Sequence, residues 1–302
     1  MTKTQATPQG LIVAAHGRHY TVEMADGSLR KCFPRGKKGG PTVGDKVEIT
    51  PEGSNEGSID RVLERRNLLY RSDDMRTKQF AANVDQLLIV VAPEPLFSAD
   101  LTGRALVAAR SVGIAPIIIL NKADLTTHLQ RARERLTDLE ALGVHIIELS
   151  ALDPEQTRAT LLPVLRGKCS LLLGQSGMGK STVLNALVPD ARAHTQEHSQ
   201  ALGAGKHTTT STRLYHLPDL SGDIIDSPGF QAFGLSHLSP SEIEQGFPEF
   251  AEPIQHCRFY NCSHRHEPGC GILAALESGQ ISTERHELYQ RILAENESRS
   301  RY

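Results

Sequence analysis

Two different rhythms of apolar and polar positions divide this 302-residue chain. Up to about residue 72, short apolar stretches recur at 11–15, 19–23, 29–33, 46–49 and from 57 onward. They are separated by Gly17, by the Asp26-Gly27 turn and by the Gly44-Asp45 corner. Strands at this spacing, with Gly and Asp at the turns, predict a small antiparallel barrel, and the OB-fold is one barrel that fits. From 84 to 229 the rhythm changes. Continuous apolar runs at 84–91, 115–120, 144–149, 168–173 and 223–225 alternate with helical-period stretches near 99–111, 129–142, 155–165 and 180–188. Such strands joined by helices predict a mainly parallel sheet covered on both faces. After Phe230 the alternation stops. Ser239-Pro240-Ser241-Glu242 reads as a helix start capped by Ser239 or Ser241. Further helices are predicted over 272–277 and 283–294, with a frayed tail over 297–301. The pattern therefore predicts a multidomain α/β protein with an all-β N-terminal domain: a barrel over 1–72, an α/β domain over 73–234 and a small helical domain over 235–302.

Composition changes this picture only locally. Lys and Arg number 33 against 35 Asp and Glu, for a formal net charge of −2. The whole protein therefore has no field that draws nucleic acid, and such a contact needs a local patch. The N-terminal end supplies one, with Lys3, Arg18, Arg30, Lys31, Arg35, Lys37, Lys38 and Lys46 set against Glu23, Asp26, Asp45 and Glu48. Arg35, Lys37 and Lys38 lie in a Gly-rich loop that reads equally as a solvated loop and as an RNA contact. Apolar runs such as 87–91 fall far short of the ~20 residues that span a bilayer. The start, Met1-Thr2-Lys3-Thr4-Gln5, lacks the apolar centre of a secretory signal, so no membrane contact and a cytoplasmic location are expected. Five cysteines, three of them clustered late, suit a reducing compartment and a metal site better than disulfides.

The candidate chemistry centres on Gly174-Gln175-Ser176-Gly177-Met178-Gly179-Lys180-Ser181-Thr182, which fits G-x-x-x-x-G-K-[ST] between an apolar run and a helical stretch. Its glycines let backbone N–H groups turn toward phosphates, and the following helix adds its positive end. Lys180 would reach the β- and γ-phosphates and the Ser181 hydroxyl would ligate Mg²⁺. Asn121-Lys122-Ala123-Asp124 follows the run 116–120 and resembles the guanine-specifying element of GTPases. The Asp124 carboxylate there accepts from the ring N–H and exocyclic amine of guanine, which adenine cannot offer. Ser150-Ala151 ends the next strand and resembles the element that helps to seat guanine. Asp226-Ser227-Pro228-Gly229 resembles D-x-x-G, with Asp226 on Mg²⁺ through water and the Gly229 N–H toward the γ-phosphate. Thr208-Thr209-Thr210 is the candidate first switch, with either Thr209 or Thr210 closing onto Mg²⁺.

The motif order is unusual, because N-K-A-D and S-A precede the phosphate loop and D-S-P-G comes last. Opening the chain of a GTPase between its motifs gives the same sheet in this order, and the second switch then feeds directly into the C-terminal segment. That segment carries Cys257, Cys262, His264 and Cys270, spaced C-x₄-C-x-H-x₅-C and suited to a structural Zn²⁺. His256 and His266 are neighbouring competitors for the fourth place.

The permuted order, the Arg35-Gly36-Lys37 loop, the stretch from Gly205 to Thr210, Asp226 to Phe230 and the Cys/His spacing together resemble the RsgA (YjeQ) family of ribosome small-subunit-dependent GTPases. The resemblance covers essentially the whole chain. It implies an OB-fold, a circularly permuted P-loop GTPase domain and a zinc domain. It also implies GTP hydrolysis to GDP, stimulated by the small ribosomal subunit and its rRNA during late maturation, by a monomer. Phe230 occupies the place where many GTPases carry a water-orienting Gln. His207, beside the switch threonines, is the expected catalytic group, and the resemblance agrees. The alternative is a GTP-gated RNA-binding switch in which hydrolysis only times release.

Overall fold

The computed structural model describes residues 7–36, 40–72, 77–189, 191, 212–228 and 234–299. Five strands, β1 (Gln9–Ala15), β2 (Tyr20–Met24), β3 (Leu29–Pro34), β4 (Lys46–Glu52) and β5 (Glu56–Val62), form the N-terminal unit. They run in the order β1-β2-β3-β5-β4, and β4 pairs back onto β1 to close the barrel. Alternate residues fill its interior, with Ile12, Val22, Cys32, Val47, Ile49 and Ile59 all buried. The expected antiparallel barrel is corrected at one seam, where β3 and β5 run parallel. A closed ring with an odd number of strands cannot alternate direction all the way round. This is the OB-fold topology, with Asp45 fully buried in the corner before β4. Asp45 accepts from the Thr42 N–H at 2.7 Å and takes both prongs of the Arg65 guanidinium at 2.7 Å.

A separate hairpin, β6 (Leu68–Ser72) and β7 (Thr77–Ala82), was not evident in the apolar pattern. It is laid against the barrel corner. Ala82 N–H donates to Val43 O, and a Cβ at Gly44 (φ +91°) would stand 2.2 Å from Ala82 O. Only glycine takes that backbone conformation with the hairpin so close.

The α/β unit follows as β8 (Gln86–Val91), α1 (Ala99–Ser111), β9 (Ala115–Leu120), α2 (Thr126–Glu134), α3 (Thr137–Ala141), β10 (His145–Glu148), α4 (Pro154–Leu165), β11 (Cys169–Gly174), α5 (Lys180–Leu187), β12 (Arg213–His216) and β13 (Asp223–Asp226). The parallel part has the order β10-β9-β8-β11-β13. Every residue of the central β8 is buried, as a strand covered on both faces requires. The single helix expected over 129–142 is two helices. At the junction the Leu136 N–H drops to Arg133 O, one residue short of the helical partner. The apolar period runs through this tight turn, since Leu129, Ala132, Leu136 and Leu139 are all buried, and so the pattern reads as one helix.

β12 pairs antiparallel with β13 and, through Ala14 and Arg213, with β1. Barrel and α/β unit therefore share one eleven-stranded sheet. Beyond it lie α6 (Pro240–Gln245), α7 (Gly271–Glu277) and α8 (Thr283–Arg299). Ser239, not Ser241, caps α6. Its hydroxyl accepts from the Glu242 N–H while the Glu242 carboxylate accepts from the Ser239 N–H, which is a capping box. Helix α8 runs on through 297–299, where fraying was expected. Polar contacts hold its last turns: Glu295 with Arg104 of α1, Asn296 with Leu238 O, and Glu297 with Arg265. Phe247 and Phe250 stack in the core of this unit and Tyr289 meets both edge-on, and the unit rests on α1 where Gly103 meets Leu288.

Candidate functional site

The phosphate loop leaves β11 at Gly174 and enters α5 at Lys180. Gly179 (φ +87°) precedes α5 and has no side chain to cap it, so the first N–H groups of α5 have no competing side-chain acceptor there. A Cβ at Gly179 would come within 2.2 Å of Asn121 Nδ2, so glycine is required by a close approach as well as by conformation. Gln175 accepts from the Ser98 N–H at 2.8 Å, Ser176 and Gly177 are exposed, and Met178 is buried. Lys180 is only 7% exposed and its ammonium donates to Asp226 Oδ1 at the end of β13, itself 2% exposed. Ser181 and Thr182 stand exposed on the first turn of α5. Ser227, fully buried, donates to Leu172 O and pins the start of the D-x-x-G segment to β11.

Residues 121–124 and 150–151 meet this loop through one side chain. Asn121, at the end of β9 and 2% exposed, donates from Nδ2 to Met178 O at 3.0 Å and accepts at Oδ1 from the Ala151 N–H at 2.9 Å. It therefore ties N-K-A-D to the phosphate loop on one side and to Ser150-Ala151 on the other. Lys122 (φ +63°) donates to Glu94 O at 2.7 Å, with its stem beside Gly179. Ala123 N–H donates to Leu149 O. Asp124 is exposed and its Oδ1 accepts from the Ser150 hydroxyl at 2.5 Å, which leaves the carboxylate open to solvent with further capacity to accept. One wall thus offers carboxylate acceptors, and the floor offers backbone donors and a buried ammonium. Such a mouth can hold a base with paired N–H donors and an anionic chain.

The second site is the Cys/His cluster. Ligand atoms on a tetrahedral Zn²⁺ with bonds of about 2.0–2.3 Å stand about 3.5–3.8 Å apart. Here Cys257 Sγ lies 3.5 Å and Cys270 Sγ 3.4 Å from His264 Nδ1, the two sulfurs are 3.9 Å apart, and all four ligand atoms including Cys262 lie within 4.8 Å of one another. The donor set therefore fits a tetrahedral cation. Partial burial and the neighbouring Cys270 and Cys257 push the Cys262 thiol up to about 12, so a full set of thiolates calls for a bound cation. His264 supplies Nδ1, and its Nε2 faces Glu244 at 3.6 Å. Of the competitors, His256 is turned out to Glu252 at 2.8 Å, and His266 is exposed. Glu267 organises the loop. Burial pushes its carboxyl up, but hydrogen bonds from Ser263, His266 and its own backbone hold it well below the carboxylate range.

The sequence model of the RsgA GTPase family matches residues 62–236. The small ribosomal subunit biogenesis GTPase RsgA of Bordetella pertussis is 67% identical over 98% of this chain and 98% of its own length. Its counterpart in Burkholderia pseudomallei strain K96243 is 56% identical over 95% of this chain and 92% of its own. The chain belongs to the RsgA GTPase family. Two solved structures are similar throughout. YloQ, a circularly permuted GTPase, is 28% identical with a TM-score of 0.70 over 99% of this chain and 98% of its own. YjeQ from Thermotoga maritima is 31% identical with a TM-score of 0.73 over 96% and 99%. This chain is therefore a circularly permuted GTPase, and the mid-chain position of its phosphate loop is the mark of that permutation.

Within this family member, His207, Thr209, Thr210, Gly229, Lys37 and Lys38 lie outside the described residues. Arg35 is described, and it is engaged with Asp60 at 2.9 Å and Glu52 at 3.6 Å. Two residues of the mouth escaped the sequence reading. Ser98 caps α1 and holds Gln175 through its N–H, and Pro95 stands where a Cβ on Gly177 would meet it at 3.1 Å. The Ser98-Ala99-Asp100 helix start was the available signal. No helix among the described residues is long and apolar enough to cross a membrane.

Proposed function

We propose that this GTPase acts in the late maturation of the small ribosomal subunit, in the cytoplasm and as a monomer, with GTP bound in the mouth between 121–124, 150–151 and 174–182. The reading rests chiefly on Asn121, one buried side chain that spaces the base-reading loop from the phosphate loop. Asn121, Lys122, Ala123, Asp124, Ser150 and Ala151 hold the guanine, and 174–182 hold the phosphates. Lys180 exchanges its Asp226 partner for the β- and γ-phosphates, where its charge matches the charge that develops as the terminal phosphoryl departs. Ser181, Asp226 and a switch threonine, Thr209 or Thr210, hold Mg²⁺, which supplies charge neutralisation when bound. Gly229 presents its N–H to the γ-phosphate, and His207 orients the attacking water that Phe230 cannot hold. Cys257, Cys262, His264 and Cys270 hold one structural Zn²⁺. Arg35, Lys37 and Lys38 contact rRNA. The division at about 72 and 234 separates the parts that dock from the part that hydrolyses.

The relatives named as small-subunit biogenesis GTPases support the biological role, and the mouth supports the nucleotide. Asp124→Asn tests the nucleotide assignment. An amide at this place donates to a carbonyl at purine C2, so hydrolysis should shift from GTP toward xanthosine triphosphate by a factor of about 100 or more. A variant that kept its guanine preference would remove Asp124 from the site.

A further inference from the structure

The junction between barrel and GTPase sheet carries a side-chain arrangement that nucleotide binding does not use. His216, at the end of β12, stands between two carboxylates. Its Nδ1 is 2.6 Å from Asp223 Oδ1 on β13, and its Nε2 is 2.7 Å from Glu23 Oε2 on β2 of the barrel. Carboxylates only accept, so two such contacts require N–H on both ring nitrogens, which is the imidazolium form. Burial opposes that charge, but the hydrogen bonds to Glu23 and Asp223 outweigh it and raise the imidazole above its ordinary pKa. These two carboxylates are the charged groups that act on its titration. The contact is one-third exposed or less on each side, with side-chain exposures of 33% for His216, 22% for Glu23 and 32% for Asp223.

Its position gives the arrangement meaning. The backbone seam between barrel and GTPase sheet is thin: Ala14 opposes Arg213, and Ala15 N–H donates to Thr212 O at 3.4 Å. On its other edge β12 pairs with β13, whose last residue is Asp226 of the nucleotide mouth. A displacement of the barrel reaches β13 through this seam and through the Glu23–His216–Asp223 contact. We infer that His216 is a positioning residue that couples barrel docking to GTP turnover by clamping β2 of the barrel to β13. The inference rests on the proposed role of the barrel at the small subunit.

The full-length protein and its Glu23→Gln and His216→Gln variants test it, with intrinsic GTP turnover, stimulated kcat and the small-subunit concentration at half-stimulation measured for each. Stimulated kcat should fall by roughly tenfold, within the range of measured inter-site couplings, with intrinsic turnover and half-stimulation unchanged. Unchanged stimulated kcat would overturn the inference. So would an equal fall in intrinsic turnover, or a rise in half-stimulation alone. A second readout needs no ribosome: a thermal-unfolding cycle over Glu23→Gln, His216→Gln and the double variant. The raised imidazole pKa means that the clamp is complete below the ordinary His value of about 6.5 and is lost as pH rises through the folded value. The cycle should therefore show coupling at pH 6 that weakens as the pH is raised. Additivity at pH 6 would overturn the clamp. A wild-type protein that no small subunit stimulates would instead overturn the proposed function, and the cycle would still decide the clamp.

Discussion

The nucleotide mouth and the Cys/His cluster are built in opposite ways. The mouth is assembled from the ends of β8, β9, β10, β11 and β13, strands whose register is fixed by a buried parallel sheet. Its parts are cross-linked by hydrogen bonds of the protein itself, above all by Asn121 to Met178 and Ala151. The cluster takes its ligands from 257–270, a stretch without strands and with a helix only at Cys270, the cap of α7. The mouth is therefore held in shape by the protein's own bonds, whereas in the cluster a bound cation would be the link that joins three thiols. A core-supported site can lose its ligand and keep its shape; a thiol cluster on a loop cannot.

The largest effect that would sharpen this contrast is metal removal. A strong chelator, or Cys262→Ser, should cost on the order of 10 kcal/mol of local stability, the scale of structural zinc sites. Limited proteolysis should then open 253–270, and the near-ultraviolet signal of Tyr289 and its ring neighbours should fade. GTP affinity should stay within a factor of about two, because no mouth residue belongs to that loop. Equal loss of GTP binding would erase the distinction.

Asn121→Ala attacks the other side. It removes the partners of Met178 O and of the Ala151 N–H, both enclosed, at about 1–3 kcal/mol each. GTP affinity should fall roughly 100-fold as measured by titration, with zinc content unchanged. Intact affinity would mean that the backbone alone holds the mouth. His207→Ala should leave GTP affinity unchanged and lower subunit-stimulated kcat by about 10²-fold, the usual scale for a positioned water-activating group. Unchanged stimulated kcat would remove His207 from the mechanism.

The smallest effect concerns the chain leaving the GTPase unit. Ser239→Ala deletes the cap of α6 and should cost about 1 kcal/mol in thermal unfolding. The Ser239 N–H and hydroxyl hold the Glu242 carboxyl below its ordinary value. The part that acts through the carboxylate is thus complete above the unfolded carboxyl pKa and fades as pH falls through the folded one. The bond from the Glu242 N–H to the Ser239 hydroxyl does not titrate, so the gap between wild type and variant should narrow in acid without closing. A gap that did not narrow at low pH would mean that the box does not act through the ionised Glu242.

What the sequence disclosed follows the same division. The mouth was legible because its chemistry is written in contiguous motifs at strand ends, and the four cluster ligands because thiols at such spacing have few other uses. The parallel β3–β5 seam was not legible, because ring closure leaves no local trace. Nor was the break between α2 and α3, since Leu129, Ala132, Leu136 and Leu139 keep a helical period across it. The last turn of α8 escaped because polar partners far away in sequence hold Glu295, Asn296 and Glu297 in place. The hairpin β6–β7 and strand β12 were missed for a similar reason. They are short, mixed in polarity and defined by what they pair with, and β12 is the strand that joins barrel to GTPase.

The most direct test of the account is nucleotide hydrolysis by the full-length protein, GTP against ATP, with and without purified small ribosomal subunits. The account predicts slow turnover of GTP alone, strong stimulation by the subunit and little ATP hydrolysis in either condition. Equal hydrolysis of both nucleotides, or GTP turnover indifferent to the subunit, would contradict it.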